Sequence, residues 1–136
     1  MLVVDDNEDA REVLAAVLGA HGATVEALDS GEAVLRRLES DAPWPDVLVC
    51  DIGLPDMDGY ILLRRVRALE AKRNVALSKR VPAIALTGFS EAEDRTRALM
   101  AGFQVHLAKP VDPRELVATI GLLLDTGQSE KRTSSR

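Results

Sequence analysis

The segment V-L-V-C-D-I-G-L-P-D-M-D-G, residues 47–59, carries the clearest structural signal in this chain. Its first four residues are apolar, and such a run predicts a strand buried on both faces, as in a parallel sheet. Asp51 ends the run, and proline, aspartate and glycine follow it, which predicts a loop. Open α/β sheets bind their ligands at the carboxyl ends of the strands, so Asp51 lies at a position where such a sheet binds a ligand.

Four further stretches predict the remaining strands: the apolar runs Met1–Val4 and Val81–Thr87, the weaker stretch Thr24–Leu28 with Thr24 and Val25 as its β-forming residues, and the short stretch Val105–Ala108. Between these runs, apolar residues recur at spacings of three and four, which predicts amphipathic helices. Strands that alternate with helices imply a parallel sheet with right-handed crossovers. We therefore predict an α/β fold, a flavodoxin-like, doubly wound, five-stranded parallel sheet in the order 2-1-3-4-5 with five helices.

Several segments outside the strands are polar. Glu70–Arg80 contains four basic residues and is predicted to be a surface loop. The pattern Ser90-Glu91-Ala92-Glu93 predicts the capped start of the fourth helix. Residues 126–136 are rich in serine and charge, and we predict that they form a disordered tail after a single domain of residues 1–125.

Composition excludes several classes of function. The net charge of −5 and the 3% aromatic content argue against direct binding of nucleic acid. No apolar segment reaches 18 residues, so no membrane span is predicted, and the N-terminus has no basic region typical of a secretory signal. The single cysteine, Cys50, lies in an apolar run, which predicts a buried thiol and fits a reducing compartment. We therefore expect a cytoplasmic protein.

Polar side chains follow four of the five predicted strands. They are Asp5 and Asp6 after the first strand, Asp51 at the end of the third, Thr87 at the end of the fourth, and Lys109 after the fifth. In the predicted strand order these ends lie together at one rim of the sheet. Two carboxylates about 4 Å apart repel each other by roughly 1–4 kcal/mol. We therefore predict that the three acids bind an oxygen-preferring divalent cation, Mg²⁺ or Mn²⁺.

Carboxylates beside a cation, a lysine and a hydroxyl are typical of a phosphoryl-transfer site. Asp51 would be the nucleophile that forms an aspartyl phosphate. The Lys109 ammonium would bind one phosphoryl oxygen, and the Thr87 hydroxyl and the Gly88 N–H would bind others. Each residue alone has a simpler explanation, such as a helix cap, a strand residue or a solvated strand end. Their joint occurrence at one rim favours the site.

Four motifs together resemble the receiver domain of two-component response regulators, a bacterial signalling family: V-V-D-D-N at 3–7, D-I-G-L-P-D-M-D-G at 51–59, A-L-T-G at 85–88 and L-A-K-P at 107–110. The resemblance covers residues 1–125. It implies that Asp51 is the phosphoacceptor of a phosphorelay and that the donor is a phosphohistidine on a sensor histidine kinase or a histidine phosphotransfer protein. It also implies a signalling protein that promotes only its own phosphorylation and dephosphorylation, and not an enzyme.

The resemblance assigns further roles. Asp6, Asp51 and the backbone carbonyl of Gly53 would bind Mg²⁺ directly, while Asp5 would act largely through water. The Lys109–Pro110 peptide bond would be cis. The face made by helix 4, strand 5 and helix 5 would change its affinity for partners on phosphorylation, and it could also form a dimer.

His106 departs from the family pattern. Three residues before the lysine, receivers usually carry a tyrosine or phenylalanine that turns inward when the threonine moves toward the phosphate. His106 is either a half-exposed strand histidine or a partner of Thr87 in this switch. Imidazole is smaller and can become charged near pH 6.5, so we expect a weaker or pH-sensitive switch. Residues 102–110 also resemble receivers of hybrid sensor histidine kinases, so the chain is either a free-standing regulator or a piece of such a kinase.

Three other functions are compatible with the fold. A phosphatase with an aspartate nucleophile often has a second acid two residues on, where this chain has Gly53. A flavodoxin-like cofactor carrier should have a loop rich in Gly, Ser or Thr after the first strand, where this chain has the acidic segment 5–9. A degenerate receiver that serves only as a scaffold would not be expected to keep the full set of acids and the lysine.

Overall fold

The computed structural model describes the backbone of residues 1–88 and 92–134, and the side chains of residues 1–88 and 96–124. The strands are β1 (Leu2–Val4), β2 (Glu26–Leu28), β3 (Leu48–Asp51), β4 (Ala83–Thr87) and β5 (Val105–Ala108). The helices are α1 (Glu8–Ala20), α2 (Gly31–Glu39), α3 (Gly59–Lys72), α4 (Ala92–Ala101) and α5 (Pro113–Ser134). Within the described residues, five parallel strands form one sheet in the order β2-β1-β3-β4-β5, which confirms the predicted fold class.

The core has two layers because alternate residues of a strand face opposite sides of the sheet. In β3, Leu48 and Cys50 pack with the residues of α2, α3 and α4, whereas Val49 packs with those of α1 and α5. Every residue of β3 is buried, as its uninterrupted apolar run predicts. The Cys50 thiol is buried as predicted, and burial, followed by the negative charge of Asp51, raises its pKa so that it stays neutral.

The predicted loop Glu70–Arg80 is partly helical, which corrects the prediction. α3 continues to Lys72, and Glu70 is fully buried instead of facing solvent. Its Oε1 accepts a hydrogen bond from Arg67 Nη1 at 2.7 Å, and its Oε2 accepts one from the Val81 N–H at 2.7 Å. A buried carboxylate that is both paired and hydrogen-bonded is tolerated in a core, so the polarity of Glu70 does not mark the end of the helix. A short 3₁₀ turn follows at Leu77–Lys79.

The guanidinium of Arg67 links three elements at the amino edge of the sheet. Besides Glu70, it donates to the carbonyl of Val81, just before β4, at 2.8 Å. It also donates to the carbonyl of Gly102, just after α4, at 2.8 Å. Gln104 completes the link, because its Oε1 accepts the N–H of Ala83 at 2.7 Å. This cluster therefore joins α3 to the starts of β4 and β5.

The last helix differs from prediction at its end. The backbone of α5 is helical as far as Ser134, and so it extends into the segment 126–136 that the sequence predicts to be a disordered tail. No proline follows Pro113 to interrupt the helix. The domain limit at residue 125 stays a prediction. The predicted capping pattern at residues 90–93 begins at residues outside those the structure describes.

None of the helices in the described part of the chain combines the length and the apolar content needed to span a bilayer.

Candidate functional site

Asp51 is the last residue of β3, and its carboxylate is held from both sides. Only 6% of Asp51 is exposed. Its Oδ1 accepts a hydrogen bond from the Gly53 N–H at 3.0 Å, and its Oδ2 lies 3.1 Å from the Lys109 Nζ. The side chain therefore points along the rim of the sheet, toward the side chains that follow the neighbouring strands.

Asp5 and Asp6 follow β1, the strand beside β3, and they meet Asp51 at this rim. Asp5 is buried; its Oδ1 accepts the Asn7 N–H at 2.9 Å, and its Oδ2 lies 3.3 Å from Lys109 Nζ. Asp6 is exposed. One carboxylate oxygen from each of Asp5, Asp6 and Asp51 lies within 4.8 Å of the other two. The predicted acidic cluster is therefore present.

The composition of this cluster fits a hard divalent cation. Its three donors are all carboxylate oxygens, the ligand type that Mg²⁺ and Mn²⁺ prefer. Three converging carboxylates with one ammonium also leave an excess of negative charge, which a cation would offset. Gly53 lies on the loop that follows Asp51, and a Cβ added there would come no closer than 3.8 Å to the Asp51 Oδ1.

Lys109 is the cation that the structure already places in the site. It forms ion pairs with Asp51 and Asp5, and its side chain is 34% exposed. Desolvation alone lowers the pKa of Lys109, but the hydrogen bond and charge of Asp51, and then those of Asp5, outweigh it and raise the pKa. Lys109 therefore stays protonated at neutral pH. The Lys109–Pro110 peptide bond is cis, as the resemblance implies.

Thr87 and His106 contact each other on the other side of Asp51. Thr87 ends β4 and is only 4% exposed. Its Oγ1 lies 2.6 Å from the Nε2 of His106, which belongs to the neighbouring strand β5 and is half-buried. The imidazole therefore turns toward the threonine. Gly88 follows Thr87 and is exposed, and a Cβ added there would meet no atom of the described residues within 4 Å.

Sequence reasoning missed two residues that shape the site. A Cβ on Gly59 would lie 2.7 Å from the Ile52 Cδ1 and 3.0 Å from the Asp51 carbonyl oxygen, so only glycine lets α3 begin this close to the strand end. The glycine is visible in the sequence, but its packing against Ile52 is not. Asp56 is predicted only as a loop residue, yet its carboxylate binds the start of α2.

Comparisons with known proteins show the family and the fold of this chain. The family model for the response regulator receiver domain matches residues 1–121. An uncharacterized 14.6 kDa protein from the sodA1 3′ region of Leptolyngbya boryana is 41% identical over 120 residues, which cover 88% of this chain and 86% of that protein. The phosphate regulon transcriptional regulatory protein PhoB of Klebsiella pneumoniae is 37% identical over 121 residues, 88% of this chain and 49% of PhoB. The crystal structure of a CheY-like response regulator receiver domain protein from Methanospirillum hungatei JF-1 has a TM-score of 0.81 at 29% identity, covering 95% of both chains.

The match to larger regulators is confined to one part of them. The chain spans about half the length of PhoB and 8% of hybrid signal transduction histidine kinase D of Dictyostelium discoideum, to which it is 33% identical over 129 residues. The family model matches residues 1–121 of this chain. With that model covering nearly the whole chain and with the strand order observed, this chain belongs to the receiver domain family of two-component response regulators.

Proposed function

We propose that this receiver domain takes a phosphoryl group onto Asp51 from a phosphohistidine in a two-component phosphorelay. A carboxylate oxygen of Asp51 forms the new bond to phosphorus. The phosphorus–nitrogen bond of the donor breaks, and the donor imidazole keeps the electron pair and gains a proton. The observation that carries this proposal is the convergence of Asp5, Asp6 and Asp51 beside Lys109, whose Nζ lies 3.1 Å from Asp51.

Asp51 suits the role of acceptor because of its place in the sheet. β3 lies between β1 and β4, so the acids that follow β1 lie on one side of Asp51 and the Thr87 hydroxyl lies on the other. The Asp51 side chain is only 8% exposed, so the carboxylate is largely screened from water before the transfer.

Mg²⁺ or Mn²⁺ would be held by Asp6, Asp51 and the carbonyl of Gly53, with Asp5 acting largely through water. When bound, the cation would neutralise charge on the phosphoryl oxygens. Lys109 supplies a second positive charge for a phosphoryl oxygen, and the raised pKa keeps that charge at neutral pH. The Thr87 hydroxyl and the Gly88 N–H bind the remaining oxygens. The chain promotes only its own phosphorylation and dephosphorylation and has no separate substrate.

The contact between Thr87 and His106 is the part of the site that we expect to switch. A hydroxyl has one proton to donate, whereas an imidazole nitrogen either donates or accepts. When the Nε2 of His106 accepts that proton, Thr87 cannot give it to a phosphoryl oxygen. When Nε2 carries its own proton, His106 donates to Thr87, which can then direct its proton to the phosphoryl group. The protonation of His106 therefore sets how readily Thr87 responds.

The partners follow from the chemistry and the family. The donor is a sensor histidine kinase or a histidine phosphotransfer protein in the cytoplasm, and phosphorylation changes the affinity of the face made by α4, β5 and α5 for a partner or for a second copy. On α4, Leu99 and Met100 are 53% and 81% exposed, which supports a contact surface there. The affinity can change only if the partner binds the two states unequally. Direct binding of nucleic acid is not part of this proposal.

Phosphorylation by acetyl phosphate in the presence of Mg²⁺ tests the proposal. The wild-type chain is expected to gain one phosphoryl group that hydroxylamine removes, as from an acyl phosphate, and Asp51→Asn is expected to gain none. Asp46→Asn, at an exposed acid, is the matched control and should be labelled like the wild type. Equal labelling of wild type and Asp51→Asn would contradict the assignment. Many turnovers of a generic phosphomonoester would instead support a phosphatase.

A further inference from the structure

The loop that follows Asp51 is bound to the start of α2. The Asp56 Oδ1 accepts the Gly31 N–H at 3.1 Å, and its Oδ2 accepts the Glu32 N–H at 2.9 Å. These amides belong to the first turn of α2, where a helix has no internal partners for its N–H groups. Ser30, the local cap, accepts only the next amide, that of Ala33, at 3.1 Å. The cap of α2 is therefore shared between its own serine and a carboxylate 25 positions away.

The same loop also packs against α2 through its apolar side chain. A Cβ on Gly31 would lie 2.7 Å from the Cγ and 2.9 Å from the Sδ of Met57. Glycine at position 31 therefore lets the helix start in direct contact with the loop. Two successive loop residues, Asp56 and Met57, thus bind α2, one through hydrogen bonds and the other through packing.

The charge of Asp56 strengthens this contact. Desolvation on its own raises the pKa of the Asp56 carboxyl, but hydrogen bonds from the Glu32 and Gly31 amides outweigh it, so the pKa lies below its ordinary value. The group is therefore an anion at neutral pH, placed at the positive end of the α2 dipole. Hydrogen bonds to an ionised acceptor are stronger than those to a neutral one.

The contact between Asp56 and α2 matters to the site because the same loop carries Gly53. Gly53, three residues before Asp56, donates its N–H to Asp51 and is the residue whose carbonyl the proposed function assigns to the cation. At the far end of the loop, Asp58 caps α3 by accepting the Ile61 N–H at 2.9 Å. Asp56 thus lies between Gly53 and α3 along the loop, and its carboxylate joins the loop to the start of α2.

We propose that Asp56 is a positioning residue that holds the β3–α3 loop, and with it the Gly53 carbonyl, in the geometry that binds the cation. This inference rests on the proposed function. Linkage is reciprocal, so cation binding at the rim must also strengthen the contact between Asp56 and α2. The start of α2 is therefore coupled to the state of the metal site.

The experiment compares wild type, Asp56→Ala, Asp56→Asn and the control Asp46→Ala by titration calorimetry with Mg²⁺ and by amide hydrogen exchange. Loss of a group that supports a metal ligand weakens metal affinity by at least about tenfold, so we expect Asp56→Ala to bind Mg²⁺ about tenfold more weakly. Asp56→Asn keeps one acceptor and should fall between Asp56→Ala and wild type. In the wild type, Mg²⁺ should slow exchange at the Gly31 and Glu32 amides, and in Asp56→Ala it should not.

Two results separate a positioning role from a merely structural one. If Asp56→Ala and Asp56→Asn both lose thermal stability but bind Mg²⁺ like the wild type, Asp56 is only a cap and the inference is wrong. If Asp56→Ala does not fold, Asp56→Asn and the effect of Mg²⁺ on exchange in the wild type decide the question. Failure of the proposed function is distinguishable, because the wild type itself would then neither bind Mg²⁺ nor accept phosphate from acetyl phosphate.

Discussion

The side chains at the rim of the sheet carry opposite charges. One ammonium, that of Lys109, lies within 3.3 Å of both Asp5 and Asp51, while Asp6 adds a further carboxylate to the cluster. Because one cation faces three anions, the three carboxylates still repel one another when no metal is bound. The arrangement favours metal and phosphoryl binding over the stability of the unliganded chain.

Removing one acid should therefore stabilise the metal-free protein. Asp6→Asn keeps the shape of an exposed side chain and removes one of the three converging charges. We expect the Tm without Mg²⁺ to rise by about 3 °C, as for a gain of about 1 kcal/mol. Mg²⁺ should raise the Tm of the wild type but no longer that of the variant, since only a bound ligand shifts stability. Calorimetry with and without Mg²⁺ measures both effects, and an undiminished Mg²⁺ effect in Asp6→Asn would refute the expectation.

His106 should make the response to phosphorylation depend on pH. Imidazole side chains gain a proton as pH falls, and a protonated Nε2 of His106 donates to the Thr87 oxygen instead of accepting from it. We expect the amide shift of Thr87 on phosphorylation, measured by NMR, to be larger at pH 6 than at pH 8. His106→Phe removes the imidazole from the contact and should give equal shifts at the two pH values. Equal shifts at the two pH values in the wild type would show that His106 protonation has no role in the response to phosphorylation.

At the scale of the elements, the helices are positioned by residues of the loops beside them. Asn7, Ser30 and Asp58 cap α1, α2 and α3 by accepting the N–H groups of the first turn. α2 also receives Asp56 from another loop. These caps lie at the carboxyl rim of the sheet, so the helices begin beside the residues of the site.

The contribution of Asp56 to stability should depend on pH in a defined direction. Its folded pKa is lower than the unfolded value of about 3.9, so the stabilisation is present above that value and is lost as pH falls through the folded pKa. Asp56→Ala should therefore be less stable than wild type by about 1 kcal/mol at pH 7, as for loss of a helix cap. Urea unfolding at pH 7 and below pH 3.5 should show the difference shrinking in acid; a constant difference would argue against a charge-dependent cap.

The close approach of α3 to β3 makes a second prediction at this scale. Gly59→Ala would place a methyl group 2.7 Å from Ile52 and 3.0 Å from the Asp51 carbonyl, and such overpacking costs about 1–3 kcal/mol. We expect a lower Tm and slower phosphorylation of Asp51 by acetyl phosphate. Gly121→Ala in α5 is the matched control: its Cβ would meet no atom of the described residues within 4 Å, so it should raise stability by up to about 1 kcal/mol. Equal effects of the two substitutions would contradict the packing explanation.

For the molecule as a whole, the sequence predicts those strands and site residues that depend only on a local sequence pattern. Strands such as β3 are recognisable because burial on both faces requires an unbroken apolar run, and Asp51 and Thr87 are recognisable because each ends such a strand. Lys109 is recognisable because it follows a short strand-forming stretch and precedes a proline. The burial of Glu70 and the reach of Asp56 to α2 are not recognisable, because both depend on partners distant in the chain. Local polarity alone marks both as loop residues.

Because of the hydrogen bonds of Arg67, we expect the amino edge of the sheet to be more rigid than its carboxyl edge. At the amino edge, a single guanidinium joins α3, the start of β4 and the end of α4. At the carboxyl edge, β4 and β5 are joined by the contact between Thr87 and His106 and by the Lys109 N–H, which donates to the Thr87 carbonyl at 2.7 Å, and the Lys109 side chain pairs with Asp51. We expect an incoming phosphoryl group to rearrange the side-chain contacts. We expect phosphorylation to shift β4 and β5 relative to each other at their carboxyl ends, while their amino ends stay joined.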